Sequence, residues 1–172
     1  MVAMQGGTEV GRSVARSREH LSRRQVQRIR HLRHPVSAEL DPDAAKAAYA
    51  RWADKGPERD GWRLTVFTEQ PVVSTGEHVV VFHAAEATTG HDVYVMGPKP
   101  VHGESVDGHP TTPPATEYEL APLDYDGKVL TGPATDVNFE PTRYTFDEPG
   151  IHVVTWEIGN LRSNELRIDV RG

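Results

Sequence analysis

Apolar and polar residues alternate with period two along most of the last two-thirds of the chain, a pattern that predicts strands. It is densest from Arg143 to Val170, RYTFDEPGIHVVTWEIGNLRSNELRIDV. Tyr144 and Phe146 share one face and run into a Pro149-Gly150 turn. Ile151 to Ile158 is apolar on both faces, as a fully buried strand is. A polar turn from Gly159 to Asn164 leads to Leu166, Ile168 and Val170, which alternate with Glu165, Arg167 and Asp169. Upstream, Trp62, Leu64 and Val66 share a face. Ser74-Thr75-Gly76-Glu77 turns the chain into His78–Ala85, whose HVVVFHAA run predicts a central strand buried on both sides. Thr88-Thr89-Gly90 turns it again, Asp92 to Met96 alternates, and Gly97 to Pro100 stops that strand.

Residues 97–116 then read as a long loop of Gly, Pro, His and acidic residues. Loops of that length without structure are uncommon in a domain and are usually functional or mobile. Glu117 to Tyr125 is strand-like, Asp126-Gly127 is a hairpin signal, and Lys128-Val129-Leu130 is the return strand. A second loop spans Thr131 to Glu140. Seven or eight short strands with turns about every ten residues predict an antiparallel β-sandwich over residues 61–172. Its predicted core is Val79, Val81, Phe82, Val93, Val95, Phe146, Val154, Trp156, Leu166 and Ile168.

The period changes to 3.6 before Trp62. Asp41 is a helix N-cap and Pro42 suits the first helical position. Ala45, Ala48, Tyr49 and Trp52 make one apolar stripe, and Gly56-Pro57 closes the helix. Residues 37–60 are thus a helix and linker, with Tyr49 and Trp52 expected to dock the helix on the sandwich or on a neighbouring subunit. Further upstream, Ser22-x-x-Gln25 matches a capping box. Val26, Ile29 and Leu32 follow at helical spacing and Pro35 ends the run, which predicts a short helix over about 23–33.

Charge sets residues 1–36 apart as an arm. The 172-residue chain carries −6. The arm holds eight Arg against Glu9 and Glu19, or +6, so the remainder carries −12. Arginine at this density points to a partner. Arg16, Arg23, Arg24, Arg28, Arg30 and Arg33, with the stripe Val26, Ile29 and Leu32, are the candidate partner-binding residues. The acidic remainder repels DNA and RNA, so an acidic protein surface or a neighbouring copy is the expected partner, with nucleic acid as the alternative. No apolar run reaches the roughly 20 residues that span a bilayer, and no membrane partner is expected. No signal peptide is visible, which points to the cytoplasm or the interior of an assembled particle; an Arg- and Ser-rich, acid-poor start also fits a transit peptide. There is no Cys, so disulfides, thiolate metal sites and cysteine catalysis are excluded.

The run Asp147-Glu148-Pro149-Gly150-Ile151-His152-Val153-Val154 resembles the start of strand F in immunoglobulin-like domains. There an acidic residue and a Gly precede a Tyr and then a Cys. His152 stands in the Tyr place and Val154 in the Cys place. Ser163 to Val170 resembles the last strand of bacterial immunoglobulin-like modules. The resemblance implies a mainly β, immunoglobulin-like sandwich of seven or eight strands and carries no activity with it.

Candidate chemistry sits in the long loop. His102, Glu104, Asp107 and His109 are metal-ligand types that His91 or His152 can approach in space. They are the candidate centre of a metal-dependent or hydrolytic enzyme. Ser105 lies between the two histidines. His78 and His83 are five apart on one predicted strand and face opposite sides. The chain has no HExxH, nucleophile elbow, P-loop or dinucleotide fingerprint, and no cofactor is expected. The expected function is a non-catalytic binding or structural module, anchored by its arm.

Overall fold

The computed structural model describes residues 42–95, 97–122 and 125–172. The candidate arm residues Arg16, Arg23, Arg24, Val26, Arg28, Ile29, Arg30, Leu32 and Arg33 lie outside the described residues, as does the predicted cap Asp41. The first element is helix α1 (Pro42–Arg51). Its stripe falls as the spacing predicts, with Ala45 and Tyr49 buried and Trp52 half-buried just past its end. Gly56 does not cap it. Gly56 is buried beside the sheet, where its N–H donates to Thr65 Oγ1 at 3.2 Å.

The strands follow in order: β1 (Glu58–Arg59), β2 (Trp62–Phe67), β3 (Val72–Ser74), β4 (His78–Ala87), β5 (Asp92–Val95), β6 (Glu104–Val106) and β7 (His109–Pro110). A 3-10 turn, Glu117–Glu119, precedes β8 (Lys128–Thr131), β9 (Ala134–Asp136), β10 (Thr142–Thr145), β11 (Gly150–Ile158), β12 (Leu161–Arg162) and β13 (Leu166–Arg171). One sheet runs β1-β2-β4-β10, with β9 also on β4. The second runs β3-β13-β11-β6-β7, with β12 on β11. β5 and β8 make a separate ribbon. The protein is mainly β, and among the described residues none of its sheets closes. Among the described residues all strand pairs are antiparallel except β3 with β13. Among the described residues no helix is long and apolar enough to cross a membrane.

β4 is the central strand that its sequence predicts. Val79, Val81 and Ala85 point into a core shared by the two sheets, with Leu64, Val154, Trp156, Leu166 and Ile168. Phe82 and Ala84 point the other way, into a smaller cluster with Phe67, Val137 and the Ala45 and Tyr49 of α1. The predicted single core is therefore two clusters on opposite faces of one strand. Of the predicted core, Val95 is only half-buried. β11 also departs from expectation. Val154, Trp156 and Ile158 are buried, whereas Ile151 is 55% exposed, so this strand has one wet face.

The loops hold most of the remaining differences. Residues 97–116 contain the β6–β7 hairpin. Asp107 and Gly108 turn it, with φ of 51° and 76°, both in the left-handed region that a two-residue type I′ turn needs. Residues 131–140 contain β9. Residues 117–119 form the 3-10 turn in place of the expected strand, and β8 pairs with β5. The Tyr125 hydroxyl folds back over Gly127 and lies within hydrogen-bond reach of the carbonyls of Val95 and Lys128, where its one proton serves one of them at a time, so the 125–128 turn touches the end of β5.

Candidate functional site

β6 is three residues long, and its alternation fixes the fate of the long loop's acidic residues. Glu104 and Val106 face the core, and Ser105 faces outward. Glu104 is fully buried. Its Oε1 accepts from Thr142 Oγ1 at 3.0 Å, and its Oε2 lies 3.4 Å from His83 Nε2. Its backbone is engaged as well: the N–H donates to Thr112 Oγ1 at 2.8 Å and the carbonyl accepts from Thr111 N at 2.9 Å.

His83 is also fully buried, because it lies on the face of β4 that carries Val81 and Ala85. Neither ring nitrogen makes a hydrogen bond of good geometry among the described residues, and the same holds for Glu104 Oε2. The imidazole packs edge-on against Trp156, with centroids 5.1 Å apart. Trp156 in turn meets Phe139 edge-on and donates from Nε1 to the His102 carbonyl at 2.8 Å. Tyr144 closes the cluster, 2.9 Å from Thr111 Oγ1. Burial pushes its phenol well above the ordinary range, and the nearby Glu104 carboxylate adds to the shift.

The other candidates are held apart. His102 Nδ1 sits 2.7 Å from Glu119 Oε1. Asp107 takes the left-handed turn position and accepts from Val153 N at 2.8 Å; its other oxygen is 2.7 Å from His152 Nδ1. His109 is exposed on β7. His91 leaves the group altogether, with Nε2 3.0 Å from the Asp60 carbonyl and its ring stacked on Trp62. His78 bonds Thr145 Oγ1 at 2.7 Å on the face of β4 opposite His83. Among the described residues no group of three or more His, Asp or Glu converges to hold a metal. Ser105 points away from Glu104, so β6 offers no nucleophile–base pair.

The geometry does structural work. Glu104 joins the two sheets through His83 and Thr142, Asp107 fixes the hairpin tip to β11, and His102 ties the hairpin base to the 3-10 turn. The chain matches no family model, no curated protein and no solved structure.

The His83–Glu104 contact is what sequence reasoning missed. One local signal bears on it. Asp107-Gly108, flanked by Glu104-Ser105-Val106 and His109-Pro110, is a two-residue hairpin signal. Reading it puts Glu104 on the same face as Val106, and hence in the core.

Proposed function

We propose that this chain is a non-catalytic binding or structural module of immunoglobulin-like design, attached to an acidic protein surface or to neighbouring copies by its basic arm. Strand order supports the scaffold. Immunoglobulin-like sandwiches keep strands A, B and E in one sheet and C, F and G in the other. Taken in chain order, β2, β4 and β10 occupy the first set of places and β6, β11 and β13 the second. His152 supports it too. It stands where strand F carries its corner tyrosine, stacks on Phe146, and brings Nε2 within 3.1 Å of the Glu148 carbonyl four residues upstream. A corner tyrosine reaches back to the backbone in the same way.

The observation that carries the functional reading is the charge split, +6 on residues 1–36 against −12 on the rest. His102, Glu104 and Asp107 are committed to the frame and His109 stands alone on β7, so the arm is the chain's strongest recognition feature. Its arginines suit carboxylates, and Val26, Ile29 and Leu32 recur among them at helical spacing.

The test compares the full chain with a variant carrying Arg23, Arg24, Arg28 and Arg30 as Gln. Mass in solution and capture of acidic partner proteins should both fall in the variant, while thermal stability barely moves. Unchanged mass and unchanged partners would refute the reading. So would tight binding to DNA or RNA with a steep salt dependence and no protein partner.

A further inference from the structure

A cleft of about 360 Å³ opens where three elements meet: α1, the β4–β9 edge and the β5–β8 ribbon. Its size falls at the small end of the range that takes organic ligands, roughly 300–1,000 Å³. The lining divides by chemistry. Ala50, Leu130 and Ala134 supply apolar lining, and Lys46 and Lys55 supply ammonium groups. Neither lysine has a carboxylate partner among the described residues; Lys55 lies over the Tyr49 ring, 4.1 Å from its centroid.

Among the described residues the one carboxylate in the lining, Glu86, is already taken. Glu86 accepts from Tyr49 Oη at 2.6 Å and from Arg63 Nη1 at 2.9 Å. Arg63 balances its charge and keeps a buried Nε without a partner among the described residues. The cleft thus has a cationic surplus beside apolar lining, in a body whose net charge is −12. The chain's own arm has the wrong sign to fill it.

We propose that this cleft binds a small organic anion, a carboxylate carried on a short apolar body. The carboxylate sits between Lys46 and Lys55, and the apolar body covers Ala50, Leu130 and Ala134. Both features are needed. Solvent-screened lysines alone hold an anion weakly, and the apolar lining alone does not choose between an acid and an alcohol.

Octanoate is the probe, added to the full-length protein and followed through backbone amide shifts. Saturable shifts are expected at Lys46, Tyr49, Ala50, Glu86 and Thr135. Acetate, which lacks the apolar body, and 1-octanol, which lacks the charge, should each leave them in place. Lys46→Glu with Lys55→Glu should weaken octanoate by about tenfold, the size of two solvent-screened charge contacts. Lys46 is exposed and Lys55 half-buried, neither belongs to a core cluster, and an unchanged amide spectrum elsewhere checks that the variant folds. Ala134→Leu enlarges an apolar lining residue without touching a charge and should weaken octanoate as well. Shifts with acetate alone would mean an adventitious ion only. Equal shifts with octanol would mean unselective apolar contact. Either result, undiminished octanoate binding in the double-lysine variant, or no shift at millimolar octanoate would overturn the site.

Discussion

The side-chain amide of Asn164 pairs with the backbone of Val66 as a neighbouring strand would. Asn164 Oδ1 accepts from Val66 N at 2.9 Å, and its Nδ2 donates to the Val66 carbonyl at 3.0 Å. The two residues are 98 apart in sequence, and both are buried. The amide joins β2, in one sheet, to the β12–β13 connection of the other. Ser163 beside it accepts from Trp156 N at 2.9 Å, so this short connection also helps seat the central tryptophan.

Asn164→Ala removes both hydrogen bonds and leaves a buried N–H and a buried carbonyl on Val66 without partners. Each such group costs about 1–3 kcal/mol. A total loss of about 3 kcal/mol is expected in urea unfolding. A loss below about 1 kcal/mol would show that water replaces the amide without penalty.

Gly56 is required by the same junction. A Cβ there lies 1.9 Å from the Leu64 carbonyl oxygen and 2.9 Å from Asn164 N, both backbone atoms that cannot swing aside. Gly56→Ala should therefore cost at least the ordinary penalty of overpacking, about 1–3 kcal/mol. Gly90→Ala is the control, because its Cβ meets open space. It should change the urea midpoint by less than about 0.5 kcal/mol equivalent.

His83 and Glu104 form a buried pair whose removal one side at a time differs from its removal together. Breaking such a pair leaves one polar group stranded and typically costs about 3–5 kcal/mol. Replacing both partners with apolar residues of similar volume is often neutral or stabilising. His83→Leu and Glu104→Met should each destabilise strongly, and the double variant should be more stable than either single. Additive losses in a double-mutant cycle would mean that the two residues act independently and that the Glu104 carboxylate is held by Thr142.

Three Asp-Gly pairs show how far the sequence could be read. Asp60-Gly61 and Asp107-Gly108 both take left-handed φ and turn the β1–β2 and β6–β7 hairpins. Asp126-Gly127 follows a stretch that reads as a strand, yet β8 goes to β5, and the Tyr125 hydroxyl meets the Val95 carbonyl beside it. A dipeptide sets the local bend, and the partner strand is chosen by side chains distant in sequence. The same limit applies to the site. Alternation correctly gave β4 two buried faces and put His78 and His83 on opposite sides. It gave no means of knowing that His83 meets Glu104 across the two sheets, since period-two patterns report facing and not the neighbour faced. The charge-split arm was legible by counting, and it lies outside the described residues.

Tyr144 makes the last prediction, at alkaline pH. An ordinary phenol titrates near 10. In the folded chain burial, and then the charge of Glu104, raise Tyr144 well above that value. Tyr49 is raised in the same way, by burial first and then by its bond to Glu86. Above pH 10 the unfolded chain releases these protons while the folded chain keeps them. The stability they contribute is therefore complete below pH 10 and is lost as pH climbs from 10 towards the folded values. Each retained proton steepens the loss by up to about 1.4 kcal/mol per pH unit. Tyr144→Phe lacks the ionisable group. It should be less stable than the wild type at pH 8, where it has lost the contact with Thr111, and should lose less stability between pH 10 and 11.5. Urea unfolding at both ends of that window measures the difference. Parallel pH profiles for the two proteins would mean that Tyr144 ionises in the folded state as it does in the unfolded one.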